Sequence, residues 1–340
     1  MKYFFSSESA DSIISRCGSE LNIFSIKGSC TLLKSKVLYD IANEASNAGL
    51  SCEKFLSPFD YDKVAGIYIK GKNSLIYDSE YYTSGFVEKK TFDIDEISNP
   101  DIQSKRIAEL ETKKNVFLSC FAKEKNSASI LQKENDYLTM KYISKPKILN
   151  YILRFISRNK FTPSEHTGTA SVRTLSSITA WGVHCLYETI LEECNRIFTV
   201  SGKVKHINSL LISGLAEAFM QYGYDVTVFK CSLTGEAEHL CIPELSLAFL
   251  SDNDYHTLPY GQAGEIHCER FLKSNIPENI RFQTVLNNEQ IDDCISKAVF
   301  AMFDALEIQN TISDVLFDKQ SESFTDKLQP MIIKAVLGNN

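Results

Sequence analysis

Self-similarity constrains this chain more than any single motif, because two copies of one pattern must fold into two copies of one unit. Two segments match at a constant separation without a gap. Ile23-Phe24 pairs with Ile197-Phe198, Gly28 with Gly202, Ser35 with Ser209, Ala42 with Ala216 and Gly49 with Gly223. Phe55 then pairs with Phe229, Asp78 with Asp252, Tyr81 with Tyr255 and Thr83 with Thr257. Each copy opens with a short apolar run rich in β-branched residues, 23–26 or 197–200, as a buried parallel strand requires. A glycine and a polar loop follow. An amphipathic helix is expected next, over 37–48 or 210–222. Gly49 or Gly223 closes it, because glycine accepts the left-handed conformation at a helix C-terminus. A second strand is expected over 52–57 or 225–231. A third, over 75–78 or 247–252, ends at Asp78 or Asp252. Strand, loop, helix and strand make a βαβ unit, which implies a parallel sheet and a right-handed crossover.

The chain of 340 residues has room for two or three domains at roughly 100–200 residues each. Helical segments follow each core, at 101–160 and at 289–337, the latter with amphipathic runs over 291–306 and 324–337. The division expected is a first α/β domain at 1–100, its helical extension at 101–160 and a linker at 161–173 carrying Pro163 and Gly168. A second α/β domain at 174–285 and a C-terminal helical extension at 286–340 complete it.

No apolar run approaches the roughly 18 residues of a membrane span, and the first residues turn polar too soon for a signal peptide. A cytoplasmic protein with no membrane association is expected. Ten cysteines are scattered without a CxxC pair, which fits reduced thiols rather than a disulfide framework. The net charge of −7 argues against broad nucleic-acid binding, which needs lysine and arginine to neutralise phosphates. One stretch, 113–160, is rich in Lys and Arg and reads as a solvated helical face.

A strand, a glycine loop and a helix in that order form the usual setting of a phosphate site. Backbone N–H groups close around the phosphates, a lysine reaches the terminal ones, and the next hydroxyl binds magnesium. The loops here run from Gly28 to Lys36 and from Gly202 to Leu210. With the Cys231-Ser232 and Ile242-Pro243-Glu244-Leu245 segments of the second half and Ser57-Pro58 of the first, the chain resembles a bacterial family of tandem-duplicated P-loop NTPase-like proteins. That family is described as ATPase or nucleotide-kinase-like, and its loops are of the type GGPGTGKSS. The resemblance implies an α/β fold of two tandem P-loop NTPase-like βαβ domains, each with a helical extension. It implies ATP with Mg2+ as ligand. The nucleotide-binding positions would be Gly28, Thr31, Lys34, Ser35, Lys36, Asp78, Gly202, Ser209 and Asp252, with Ser35 and Asp78 at the metal.

The first loop keeps Gly28, Lys34 and Ser35, but Ser29, Thr31 and Leu33 replace glycines. In the second, Asn208 replaces the lysine, and Lys203, Lys205 and Ile207 stand at glycine positions. Side chains there project into the phosphate space or demand a positive φ, and losing the lysine removes the charge that holds phosphate. Asp78 and Asp252 read either as metal-holding carboxylates at strand ends or as ordinary turn residues. His239, Cys241, His256, His267 and Cys268 match no zinc spacing and read as structural. Cys185 beside His184 does not make a catalytic pair, since sequence neighbours point apart. Trp181, Tyr187 and Leu191 read as core. Three functions follow: a nucleotide-binding protein with weak or absent ATP hydrolysis, a non-catalytic scaffold for a protein partner, or a kinase-like phosphotransferase.

Overall fold

The computed structural model describes residues 2–5, 13–14, 17–81, 88–97, 105–252, 254–255, 258 and 263–338. Thr83, His256, Thr257 and the start of the expected helical extension at 101–104 lie outside them. The chain divides into two compact units. The first takes Met1–Ala122, Thr179–Gly182 and Ala298–Asn340, and the second takes Lys123–Ile178 and Val183–Lys297.

In the first unit the strands are β1 (Lys2–Phe5), β2 (Asn22–Lys27), β3 (Cys52–Leu56), β4 (Val64–Ile69), β5 (Ser74–Asp78) and β6 (Lys90–Asp93). They form one sheet in the order β1-β3-β4-β5-β2-β6. Helix α1 (Thr31–Asn47) joins β2 to β3 and packs on β4, β3 and β5. Its buried face is Leu33, Val37, Leu38, Ile41, Ala42 and Ala45, the helical spacing of a core-facing stripe. Helix α2 (Lys105–Met140) leaves the sheet, and α3 (Lys145–Asn159) starts just after Ser144, with Pro146 in its first turn.

The second unit repeats the design. Its strands are β7 (Ala170–Arg173), β10 (Arg196–Ser201), β11 (Val226–Lys230), β12 (Ala237–Ile242), β13 (Leu247–Ser251) and β14 (Gly264–His267). Their order, β7-β11-β12-β13-β10-β14, is the first sheet's order strand for strand. A small hairpin, β8 (Ser176–Thr179) with β9 (Gly182–Cys185), and a one-turn helix α4 (Glu188–Leu191) precede β10. Helix α5 (Lys205–Gln221) follows β10. Its core side meets α3 through Ile148, Ile152, Phe155 and Ile156. The long helix α6 (Glu278–Ser323) and α7 (Gln329–Leu337) end the chain.

Four expectations change. The sheets are mixed, not wholly parallel: β4 and β12 run antiparallel to both neighbours. A meander β3-β4-β5 was hidden because every residue of Val64–Ile69 is buried, so no alternation marks the strand. The linker over 161–173 ends in a strand, since Ala170–Arg173 pairs in parallel with β11. Helices α1 and α5 begin at Thr31 and Lys205, well before 37 and 210, so residues assigned to a loop are helical. The helical extensions are also shared. Residues from Lys123 on belong to the second unit, and Ala298–Asn340 return to the first.

The repeat also shifts register. Ile26 pairs with Asp78 in β2–β5, and its counterpart Val200 pairs with Ser251 in β10–β13. The turn between β11 and β12 is one residue shorter than that between β3 and β4, which moves the match. The structural equivalent of Asp78 is therefore Ser251. Asp252 corresponds to Ser79, and both amides donate to the matching carbonyls of Val200 and Ile26.

Candidate functional site

In both halves the strand-to-helix connection is short: Gly28-Ser29-Cys30 after β2 and Gly202-Lys203-Val204 after β10. Gly28 sits at φ 132°, and a Cβ there would meet Ile94 Cβ at 3.0 Å, so only glycine fits. One amide donor in each of these loops is already taken. Ser29 donates its N–H (2.9 Å) and its hydroxyl (3.1 Å) to Asp95. Lys203 donates its N–H to Glu269 at 2.9 Å. A carboxylate from the turn after the last strand thus occupies, in each half, the position at a helix N-terminus where a phosphate would bind.

The first loop is further closed by α6. Gln309 Nε2 donates to the Ser29 carbonyl (3.2 Å), the Thr31 and Ser313 hydroxyls bond at 2.8 Å, and Gln320 donates to Asp95. Lys34 and Asp78 are brought together, as an ion pair inside the core. The Lys34 ammonium lies 2.8 Å from Asp78 and 3.2 Å from Glu80, and only 1% of the residue is exposed. Lys114 reaches across from α2 to Glu80 (2.6 Å), Glu111 (2.9 Å) and Gln309 Oε1 (2.6 Å). Burial works against the Lys34 ammonium, but Asp78 and Glu80 outweigh it and hold its pKa above the ordinary lysine value. Ser35 does not join Asp78: its hydroxyl accepts the Val64 N–H at 2.9 Å. Lys36 is exposed.

This network has a pH signature. Burial raises the Glu80 carboxyl, but Lys34 and Lys114 overcome it and hold it below its ordinary value of 4.5. A depressed carboxylate stabilises the fold above its unfolded pKa, and that contribution is lost as pH falls through the folded value. Denaturant unfolding from pH 7 to pH 3 should therefore lose stability below about pH 4.5, and Glu80→Gln should flatten that fall. An identical pH dependence in the variant would remove Glu80 from the network.

The second half places Asn208 where Lys34 stands. Asn208 Nδ2 donates to Ser251 Oγ at 3.1 Å and to the Val200 carbonyl at 3.4 Å. A neutral amide and hydroxyl replace the buried ion pair. Among the described residues, Asn208 Oδ1 is buried without a hydrogen-bond donor. Here the loop is open. Ser201, Gly202, Lys203 and Lys205 line a cleft of about 1030 Å³, with Asp252, His267, Glu269 and Arg281 around it. It lies outside the carboxyl end of β10, the usual ligand position in an open α/β sheet. Ser209 lies instead on an adjoining cavity of about 80 Å³ with Asp136, Cys231, Glu236 and Glu238.

Sequence reasoning missed several of these groups. Asp95 and Glu269 occupy equal places in the repeat, which was a usable signal. Lys114 was grouped with a solvated face, yet is buried at 3% exposure, while Lys113, Lys123, Lys133, Lys141, Lys145 and Lys147 are exposed as expected. Of the other candidates, buried His239 accepts the Ser251 N–H on Nδ1, and its Nε2 lies 3.9 Å from Cys185. Burial pushes the Cys185 thiol well up, so no thiolate is available. Cys241 faces Cys194 with sulfurs 2.9 Å apart, while Cys268 is buried. Trp181, read as core, is 54% exposed. Tyr187 is buried as read, and Leu191 is partly so.

No family model, curated protein or solved structure matches this chain. Among the described residues no helix is long and apolar enough to cross a membrane.

Proposed function

We propose that this chain is a P-loop NTPase-like protein that binds a ligand without hydrolysing it. The first half is structural. The second is a binding module whose cleft takes a phosphate-bearing small molecule, such as a nucleotide, together with its divalent counter-ion. The buried Lys34–Asp78 pair carries this reading: the two charges that phosphate and magnesium would need are spent on each other, and the second half replaces both with Asn208 and Ser251. The open cleft supports the binding role. Lys203, Lys205 and Arg281 can meet phosphate oxygens, and Asp252, Asp254 and Glu269 can meet a cation. The unpartnered Asn208 Oδ1 beside this region offers an acceptor to a ligand or water.

Thermal unfolding with Mg-ATP, Mg-GTP and inorganic phosphate tests it. A ligand at about one hundred times its Kd adds roughly 2.7 kcal/mol. The shift is expected to survive Lys34→Ala, to vanish in Lys205→Ala combined with Arg281→Ala, and to come without phosphate release. ATP hydrolysis abolished by Lys34→Ala would overturn the non-catalytic reading. The absence of any shift at millimolar ligand would overturn the binding role and leave a scaffold.

A further inference from the structure

Three metal-ligating side chains from three separate elements converge in the second unit. His206 stands in the first turn of α5, Glu236 just ahead of β12, and Asp136 on α2. His206 Nδ1 lies 3.4 Å from each Glu236 carboxylate oxygen. One ligand atom of each of the three residues lies within 4.8 Å of the others. Asp136 is buried, and the other two are partly so. Asp136 and Glu236 line the cavity of about 80 Å³.

A simple ion pair between His206 and Glu236 would not need Asp136. A second carboxylate there repels the first, and burying it is unfavourable unless a cation compensates. Lys133, Lys145 and Lys205 are near enough to influence these groups. Among the described residues, however, no lysine forms an ion pair with Asp136 or Glu236. The Asp136 carboxylate is also held by an outer partner. Gln132 Nε2 donates to Asp136 Oδ1 at 2.9 Å. Outer hydrogen bonds of this kind orient metal ligands.

The duplicated fold supplies an internal control. The first half has Leu32 at the position of His206 and Lys63 at that of Glu236, and Lys63 pairs there with Asp60 and Asn310. The fold therefore forms without the imidazole and the carboxylate, and their joint presence in the second half calls for another reason.

We infer that Asp136, His206 and Glu236 form a binding site for one first-row divalent transition ion, with Zn2+ or Mn2+ as the fitting class. One imidazole nitrogen with two carboxylates suits such ions better than the all-oxygen set preferred by Ca2+ or Mg2+. Three protein ligands leave at least one coordination position open, and the cavity is where an exogenous oxygen ligand would take it. This site does not depend on the ligand proposed for the larger cleft.

The test uses untagged full-length protein, stripped with a chelator and titrated calorimetrically with ZnCl2 and with MnCl2, without nucleotide. CoCl2 serves as a spectroscopic probe. One equivalent should bind. Each of Asp136→Asn, His206→Ala and Glu236→Gln should weaken binding by more than the roughly 10–100-fold that outer-shell partners are worth. The double variant His206→Leu with Glu236→Lys carries the first half's residues, so it should fold with an unchanged apo melting temperature and bind no metal. Cys231→Ser should bind as the wild type does. Equal binding by wild type and double variant would overturn the site, as would no binding by the wild type. A sulfur-to-cobalt charge-transfer band lost in Cys231→Ser would overturn it in favour of a thiolate site.

Discussion

Lys34→Met is expected to destabilise the first unit by about 3–5 kcal/mol, because it strands the Asp78 carboxylate in the core. The side chains of Lys34 and Asp78 are 2% and 3% exposed, so water cannot take over the lost partner. Glu80 keeps Lys114, whereas Asp78 keeps only its bond from the Glu80 amide. At about 2–4 °C per kcal/mol for a domain of this size, the melting temperature should fall by roughly 10 °C. The second half shows how the loss can be repaired. Lys34→Asn with Asp78→Ser installs the Asn208–Ser251 pair of the other half, so the double variant should recover most of the stability. Differential scanning calorimetry of the three proteins measures this. A double variant no more stable than Lys34→Met would mean that the ion pair does more than fill a polar slot. A stable Lys34→Met would mean that the pair contributes nothing.

The repeat was legible because it rests on the apolar strands and helix-ending glycines that fix a core. The strand runs 23–26 and 197–200 fall inside β2 and β10, and Gly49 and Gly223 sit at φ 76° and 91° just past their helices. What escaped was set by tertiary context. An antiparallel strand buried along nearly all its length has no alternating pattern, so Val64–Ile69 and its twin went unseen. A one-residue difference between turns is invisible to an ungapped match, and it carried the apparent partner of Asp78 from Ser251 to Asp252. Lys114 looked like its solvated neighbours because sequence gives its charge but not the Glu80 and Gln309 groups that receive it. The residues Asp136, His206 and Glu236 are far apart in the chain and share no motif, so only the fold could bring them together.

The two halves have divided one design. In each, a carboxylate closes the loop at the helix N-terminus, through Asp95 or Glu269. Only the first half adds Gln309 and Ser313 over that loop and a charged network beneath it. The second half leaves the loop against a cleft and puts neutral groups below it. Rigidity belongs with the first arrangement and ligand access with the second. A buried charge network tolerates little rearrangement, because each displaced partner leaves an uncompensated charge.

Phe249→Ala tests what holds the cleft in shape. Phe249 on β13 is fully buried, and its ring lies 5.3 Å from Phe155, 5.6 Å from Phe198 and 6.3 Å from Phe219. Those residues come from α3, β10 and α5, so one ring joins the strand that ends at the second loop to the helix that begins there. Truncation removes the transfer energy of the ring and leaves a cavity among side chains that cannot all collapse into it, a loss of about 3–5 kcal/mol. Hydrogen exchange followed by mass spectrometry should show faster exchange in peptides from β10 to β13, with β2 to β5 unchanged. Binding in the cleft and at Asp136, His206 and Glu236 should weaken with it, since α5 carries Lys205 and His206. Protection of β10 to β13 equal to that of the wild type would mean that the aromatic cluster is not what fixes the loop.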